Sequence, residues 1–355
     1  MDESDPSYAL RKPQIRIRLE RILWYVADSA VLSEIDVLPK EFDTPMFWTD
    51  EELKELKGTE VVSRIGKLKS EEQYYQIILP LLSAHPELFD ITKCGLDAFH
   101  IMGSLVLAYS FGRTDSPNDE DEDDEDGSER IDIAMVPLAD MLNANPQLNN
   151  VSLHTGINNS QARLFQAGTG WEMRTIRRIA RDEQIYNTYG NLPNADLLRR
   201  YGYVIPRSRD DLVEISAEMI IETVSRLSQD EVSQRVDILD DEDLFEEYDI
   251  LYTKVDGRAY EIPFSGKIPD EMSVFCLSMM ADTLDANSIP EGKKTPELKK
   301  ALLDVVARRA AAYNTAIEED EKLLKSTLSS RQRMAIEVRI GEKRILKNAR
   351  ERIGA

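Results

Sequence analysis

Cysteine is scarce in this chain, and its scarcity excludes whole classes of protein. Cys94 and Cys276 lie far apart, so neither a zinc-ligand spacing nor a disulfide framework is available, which suits a reducing compartment. Histidine is nearly as rare. His85, His100 and His154 stand singly, with no neighbours that complete a metal site or a catalytic triad, and each reads as structural or surface. No apolar run is long enough to span a bilayer, and the polar first residues are followed by no apolar stretch with a cleavage site, so neither a membrane helix nor a signal peptide is expected. Glycine is missing from the start of the chain; the first is Gly58.

What is present describes a globular protein with an unusual charge. The 355 residues are 42% hydrophobic and 31% charged, enough for two domains and a sizeable core. The net charge of −22 repels phosphate backbones, so direct nucleic-acid binding is not expected. It favours basic partners such as lysine-rich protein segments, although solubility alone would also account for it. Eight consecutive acidic residues, Asp119 to Asp126, repel one another too strongly to pack, so 114–129 reads as a disordered surface loop.

Periodicity divides the chain. Ile15, Leu19, Ile22, Leu23 and Val26 give residues 14–27 a helical rhythm. The segment 38–56 reads as an extended entry, then Thr49 as N-cap of a helix with an acidic first turn. Helical spacing continues through Glu71 to Ala84 and Leu96 to Phe111. From Ile131 short apolar runs alternate with Asn-, Gly- and Pro-rich turns, which describes a compact β-rich region ending near Pro206. Beyond it, Leu212 to Leu227, Asp270 to Leu284, Pro296 to Leu324 and Arg331 to Ile353 read as amphipathic helices of a bundle, interrupted by a short hairpin over Tyr260 to Ile268.

Two segments carry a resemblance. PLADMLNA at Pro137 to Ala144 and IYNTYGNLPNADLLRRYGY at Ile185 to Tyr203 resemble the C-terminal half of the SET domain in the Rubisco large-subunit methyltransferase group. Within that group they are most similar to the branch holding the fungal ribosomal lysine methyltransferases and their animal nuclear relative. FDTPMFW at Phe42 to Trp48, LPLLSAHPELF at Leu79 to Phe89, LAYSF at Leu107 to Phe111 and RIGEKRIL at Arg339 to Leu346 follow in the family's order. Each is weak alone; their order and spacing together are specific.

The resemblance implies S-adenosylmethionine-dependent methylation of a protein lysine, with a lysine of a 60S ribosomal protein as the substrate. It implies Tyr189 as the catalytic tyrosine that orients the amine. Asn143, with Ala144, holds the amino-acid end of the cofactor; Tyr201 contacts cofactor and walls the lysine channel; Tyr109 lies beside the cofactor. Ala144 stands where most SET enzymes have histidine and marks the fungal branch. Asp140 reads as a turn-stabilising carboxylate. No metal is implied. The chemistry needs such a site because a free lysine, with a pKa of about 10.4, is charged at pH 7, and only an apolar channel beside a cationic donor favours the neutral amine.

The expected fold class is α+β: an atypical segment 1–35, a partial β-rich SET domain over 36–206 with a helical insert at about 48–130, and a mostly α-helical Rubisco-methyltransferase-type substrate-binding domain over 207–355. The family's Gly-rich cofactor cradle has no counterpart in Met1 to Asp36, so part of the cofactor-binding N-terminus is expected to be missing. That leaves two further readings open: an inactive substrate-binding protein, and an acidic chaperone for basic ribosomal proteins. The resemblance also implies a nuclear monomer, with the cytoplasm as a second compartment.

Overall fold

Local capping and patterning fix the elements on which everything else rests. The computed structural model describes residues 39–113, 132–135, 139–145, 148, 151–152, 165–167, 170–172, 174–240, 259–284, 290 and 295–354. The expected segment 1–35 and the acidic loop 114–129 lie outside these, as does His154. The chain divides into two compact units, one of residues 1–42 and 67–192, the other of 43–66 and 193–355.

In the second unit the chain begins with α1 (Asp50–Leu53), whose entry is a capping box. The Thr49 hydroxyl oxygen accepts from the Glu52 amide at 3.3 Å, and the Glu52 carboxylate accepts from the Thr49 amide at 2.8 Å. After α2 (Val61–Arg64), Trp48, Leu56 and Val61 close a small core with Leu198, Met334, Ala335 and Val338. From sequence, 48–66 is expected to begin the helical insert; here these residues pack within the second unit.

The first unit opens with α3 (Lys67–Gln73), which runs through a π turn at Tyr74–Ile78 into α4 (Leu79–Ala84). Tyr74, Ile78 and Leu82 form its helical core with Phe89, Cys94, Leu96 and Phe99. α5 (Leu96–Tyr109) leads directly into β1 (Ser110–Arg113), so the helix expected to reach Phe111 stops earlier. β1 pairs antiparallel with β2 (Asp132–Met135), Ser110 opposite Met135. The remaining strands are β3 (Asn143–Ala144), β4 (Val151–Ser152), β5 (Phe165–Ala167), β6 (Gly170–Glu172), β7 (Arg174–Thr175) and β8 (Tyr186–Asn187). β5 and β6 form a hairpin, β4 pairs antiparallel with β7, and β3 runs parallel to β8.

Past α6 (Asn194–Tyr201), the second unit departs from what its sequence suggests in several places: the expected helix Pro296 to Leu324 breaks after Ala310, and Gln229–Asp240 forms a helix of its own. Leu212 to Leu227 is not one helix: β9 (Leu212–Ser216) precedes α7 (Ala217–Val224), whose N-cap is Ser216. β10 (Ala259–Pro263) is not half of a local hairpin; it pairs antiparallel with β9, Tyr260 opposite Ile215. A short apolar run satisfies helix and strand periodicities alike, and only the distant partner decides. α8 (Gln229–Asp240), α9 (Asp270–Met280), α10 (Pro296–Ala310), α11 (Ile317–Leu323) and α12 (Ser330–Gly354) complete the unit. Val213, Ile215, Ile220, Ile262, Phe275, Val305 and Ile345 lie at the centre of its core, all essentially inaccessible to solvent.

Charged groups are also buried there. Arg309 donates to the Glu214 carbonyl at 3.0 Å and to the Glu342 carboxylate at 3.2 Å, and Tyr313 donates to the same carboxylate. Asp320 receives Arg339 at 2.8 Å and Lys343 at 2.6 Å. Each charge is compensated, as burial requires.

Candidate functional site

The short segment 139–145 gathers most of the residues singled out from the sequence. Leu142 donates back to the Ala139 carbonyl at 3.3 Å, closing a turn that delivers Asn143 and Ala144 into β3. In the parallel β3–β8 pair, Asn143 stands opposite Tyr186 and Ala144 opposite Asn187. The Asn145 amide extends the pairing, donating to the Asn187 carbonyl at 3.0 Å.

Tyr189 comes to this turn from the other side. Its hydroxyl donates to the Leu142 carbonyl at 3.2 Å, tying the residue two places past β8 to the residue just before β3. The loop between is held by Thr188, whose hydroxyl accepts from the Gly190 amide at 3.2 Å. Gly190 has φ +105°, a region that L side chains avoid, so the chain turns sharply immediately after Tyr189. Tyr109, the last residue of α5, is half-buried; burial and then the nearby Asp140 carboxylate push its phenol above the usual range. The Asp140 read from sequence as a turn residue is therefore also an electrostatic neighbour of Tyr109.

Tyr201 belongs to the second unit, at the end of α6, where Gly202 in the left-handed region (φ +71°) caps the helix. Burial raises its phenol above the ordinary value, partly opposed by Arg200. The structure thus joins Asn143, Ala144 and Tyr189 through one turn and one strand pair and sets Tyr109 beside that turn's Asp140, while Tyr201 is held in a separately packed unit. Both Tyr109 and Tyr201 keep their protons at neutral pH and can donate a hydrogen bond.

One polar group at this site goes unsignalled by the sequence. Asn187 is 1% exposed, and its side-chain Oδ1 has no hydrogen-bond partner among the described residues. An asparagine between tyrosine and threonine, close to a Tyr-Gly turn, looks like ordinary turn chemistry; only its burial distinguishes it.

The Rubisco LSMT substrate-binding family matches residues 229–346. The N-lysine methyltransferase setd6 of Danio rerio is 28% identical over 348 residues, covering 88% of this chain and 72% of that protein. Ribosomal lysine N-methyltransferase 4 of Saccharomyces cerevisiae is 35% identical over 195 residues, 52% of this chain and 37% of that protein. Among solved structures, the SET domain of LSMT bound to methyllysine and AdoHcy superimposes with TM-score 0.66 at 19% identity, over 99% of this chain and 77% of that one. Rubisco LSMT bound to AdoMet gives 0.65 at 19% identity, over 98% and 78%.

The chain resembles the SET-domain protein-lysine methyltransferases over most of its length, and it has the α+β fold of the LSMT structures. It is a protein-lysine N-methyltransferase.

Proposed function

We propose that this enzyme methylates a lysine of a large-subunit ribosomal protein, that Tyr189 is its catalytic residue, and that Asn143, Ala144, Tyr201 and Tyr109 hold the cofactor. The observation that carries the substrate reading is the 35% identity to the yeast ribosomal lysine methyltransferase. The net charge of −22 supports it, since ribosomal proteins present lysine-rich segments to such a surface. A nuclear site of action and a monomeric state belong to the same reading.

The residues present suit the cofactor. S-adenosylmethionine supplies, when bound, a methyl group activated by its sulfonium. Asn143 has an exposed side chain at the head of β3, beside the Tyr189–Leu142 contact, and can offer amide donor and acceptor to an amino acid. Tyr109 and Tyr201, with phenols held protonated by burial, are neutral donors. The Tyr189 hydroxyl orients the lysine nitrogen, while the surroundings exclude water and favour the neutral amine.

The decisive experiment incubates the purified chain with large ribosomal subunits and S-adenosylmethionine labelled in its methyl group. Label in one ribosomal protein, on lysine by mass spectrometry, is the expected result. Labelling of other basic proteins at the same rate would overturn the substrate reading and leave the class of enzyme standing.

A further inference from the structure

The unpartnered Asn187 is the feature of this site that no packing argument explains. Its backbone is fixed from two sides: it pairs with Ala144 across β3–β8, and its carbonyl accepts from the Asn145 amide at 3.0 Å. The residue is 1% exposed and Oδ1 has no partner among the described residues. The neighbours cannot supply one: Ala144 has no polar side chain, the Thr188 hydroxyl is engaged with Gly190, and the Tyr189 hydroxyl donates to Leu142. A leucine of similar shape would satisfy burial better, because a buried acceptor without a donor is destabilising. A residue that breaks a local rule at a site otherwise well satisfied is expected where function requires it.

We propose that Asn187 is a further ligand-contacting residue of this methyltransferase, whose Oδ1 accepts a hydrogen bond from an N–H of a bound ligand's amine or ammonium nitrogen. Such a nitrogen is rich in donors, which is what a lone amide oxygen between β3 and Tyr189 lacks. Two sources share this chemistry: the α-ammonium of S-adenosylmethionine and the ε-nitrogen of the substrate lysine. Ala144 contributes by its size, since a larger side chain opposite Asn187 would occupy the space on that face of the pair. The inference rests on the methyltransferase reading of the site and adds a residue to it.

The test compares the wild-type chain with Asn187→Leu, which removes the acceptor, and Asn187→Asp, which keeps an acceptor of the same shape. Calorimetric titration with S-adenosylmethionine is read beside steady-state methylation of large ribosomal subunits. If the cofactor supplies the donor, Asn187→Leu weakens S-adenosylmethionine binding about 10- to 100-fold, as loss of a hydrogen bond to a charged group does. If the lysine supplies it, cofactor affinity is unchanged and KM for the subunits rises by a similar factor. In either case Asn187→Asp restores most of the loss, including where the leucine variant fails to fold. Wild-type values in a folded Asn187→Leu, or an aspartate variant as impaired as the leucine one, overturn the proposal and leave Oδ1 to a structural water. No heat and no methylation with the wild type would instead overturn the site reading itself, and this with it.

Discussion

Tyr189 is tied to the β3 turn by the hydrogen bond from its hydroxyl to the Leu142 carbonyl at 3.2 Å, and that hydroxyl can be removed by changing one atom. Tyr189→Phe removes one oxygen from a half-buried ring and leaves the β3–β8 pairing and the Gly190 turn intact. Methyl transfer to large ribosomal subunits is expected to fall by about 100-fold or more in kcat, in the range of a lost positioning or proton-handling group, with cofactor affinity unchanged by calorimetry. A variant that loses affinity and turnover equally would make Tyr189 a binding residue instead. Tyr189, Asn143 and Tyr201 were legible as candidates because their motifs stand in the family's order. Asn187 was not, because the sequence cannot reveal that an asparagine beside a turn is 1% exposed with an idle oxygen.

Elements built from local signals were read most closely. The Thr49 capping box and α12 follow from residues within a few positions of one another. β9 and β10 depend on a pairing between residues 212–216 and 259–263, which no local pattern encodes. The same holds for Gly58, where a close approach demands glycine. It sits at φ +89°, and a Cβ there would lie 2.8 Å from the Ala312 carbonyl oxygen. Its own carbonyl accepts from Arg309, the buried cation that also holds Glu342. Gly58→Ala therefore combines backbone strain with a clash against backbone that cannot swing away. We expect a loss of about 2 to 4 kcal/mol in urea unfolding, read as a lower midpoint at unchanged slope. An alanine variant as stable as wild type would mean that this approach is not maintained in solution.

The acidity that suggests a basic substrate also sets how the folded molecule responds to pH. Four carboxyls in the second unit are raised, in each case chiefly by burial: Glu337, Asp211 from 3.8 to about 6, Glu214 from 4.5 to about 7 and Glu342 from 4.5 to about 7. Opposing groups do not cancel the effect. Asn194 donates to Asp211, Arg64 faces Glu214, and Arg309 with Tyr313 faces Glu342; Asp210, Glu337, Glu60, Glu261 and Asp196 add repulsion around them. Between the unfolded and folded values the native protein binds more protons than the unfolded chain, so these groups stabilise fully below about pH 4 and lose that contribution as pH rises towards 7. Carboxyls lowered by partners, such as Asp320 beside Arg339 and Lys343 and Glu52 beside Thr49 and Arg331, have the opposite sign, but their stabilisation is complete above about pH 5. Between pH 5 and 8 the raised groups therefore dominate, and relief of self-repulsion among the excess acids acts in the same direction. The thermal midpoint should fall by several degrees from pH 5.5 to 8, and unfolding at pH 6 should release protons, seen as a dependence of the calorimetric enthalpy on buffer ionisation enthalpy. Proton uptake at pH 6 would show that Asp211, Glu214 and Glu342 are hydrated in solution, and the packing of Arg309 against Glu342 and of Arg64 against Glu214 would then have to be looser than described.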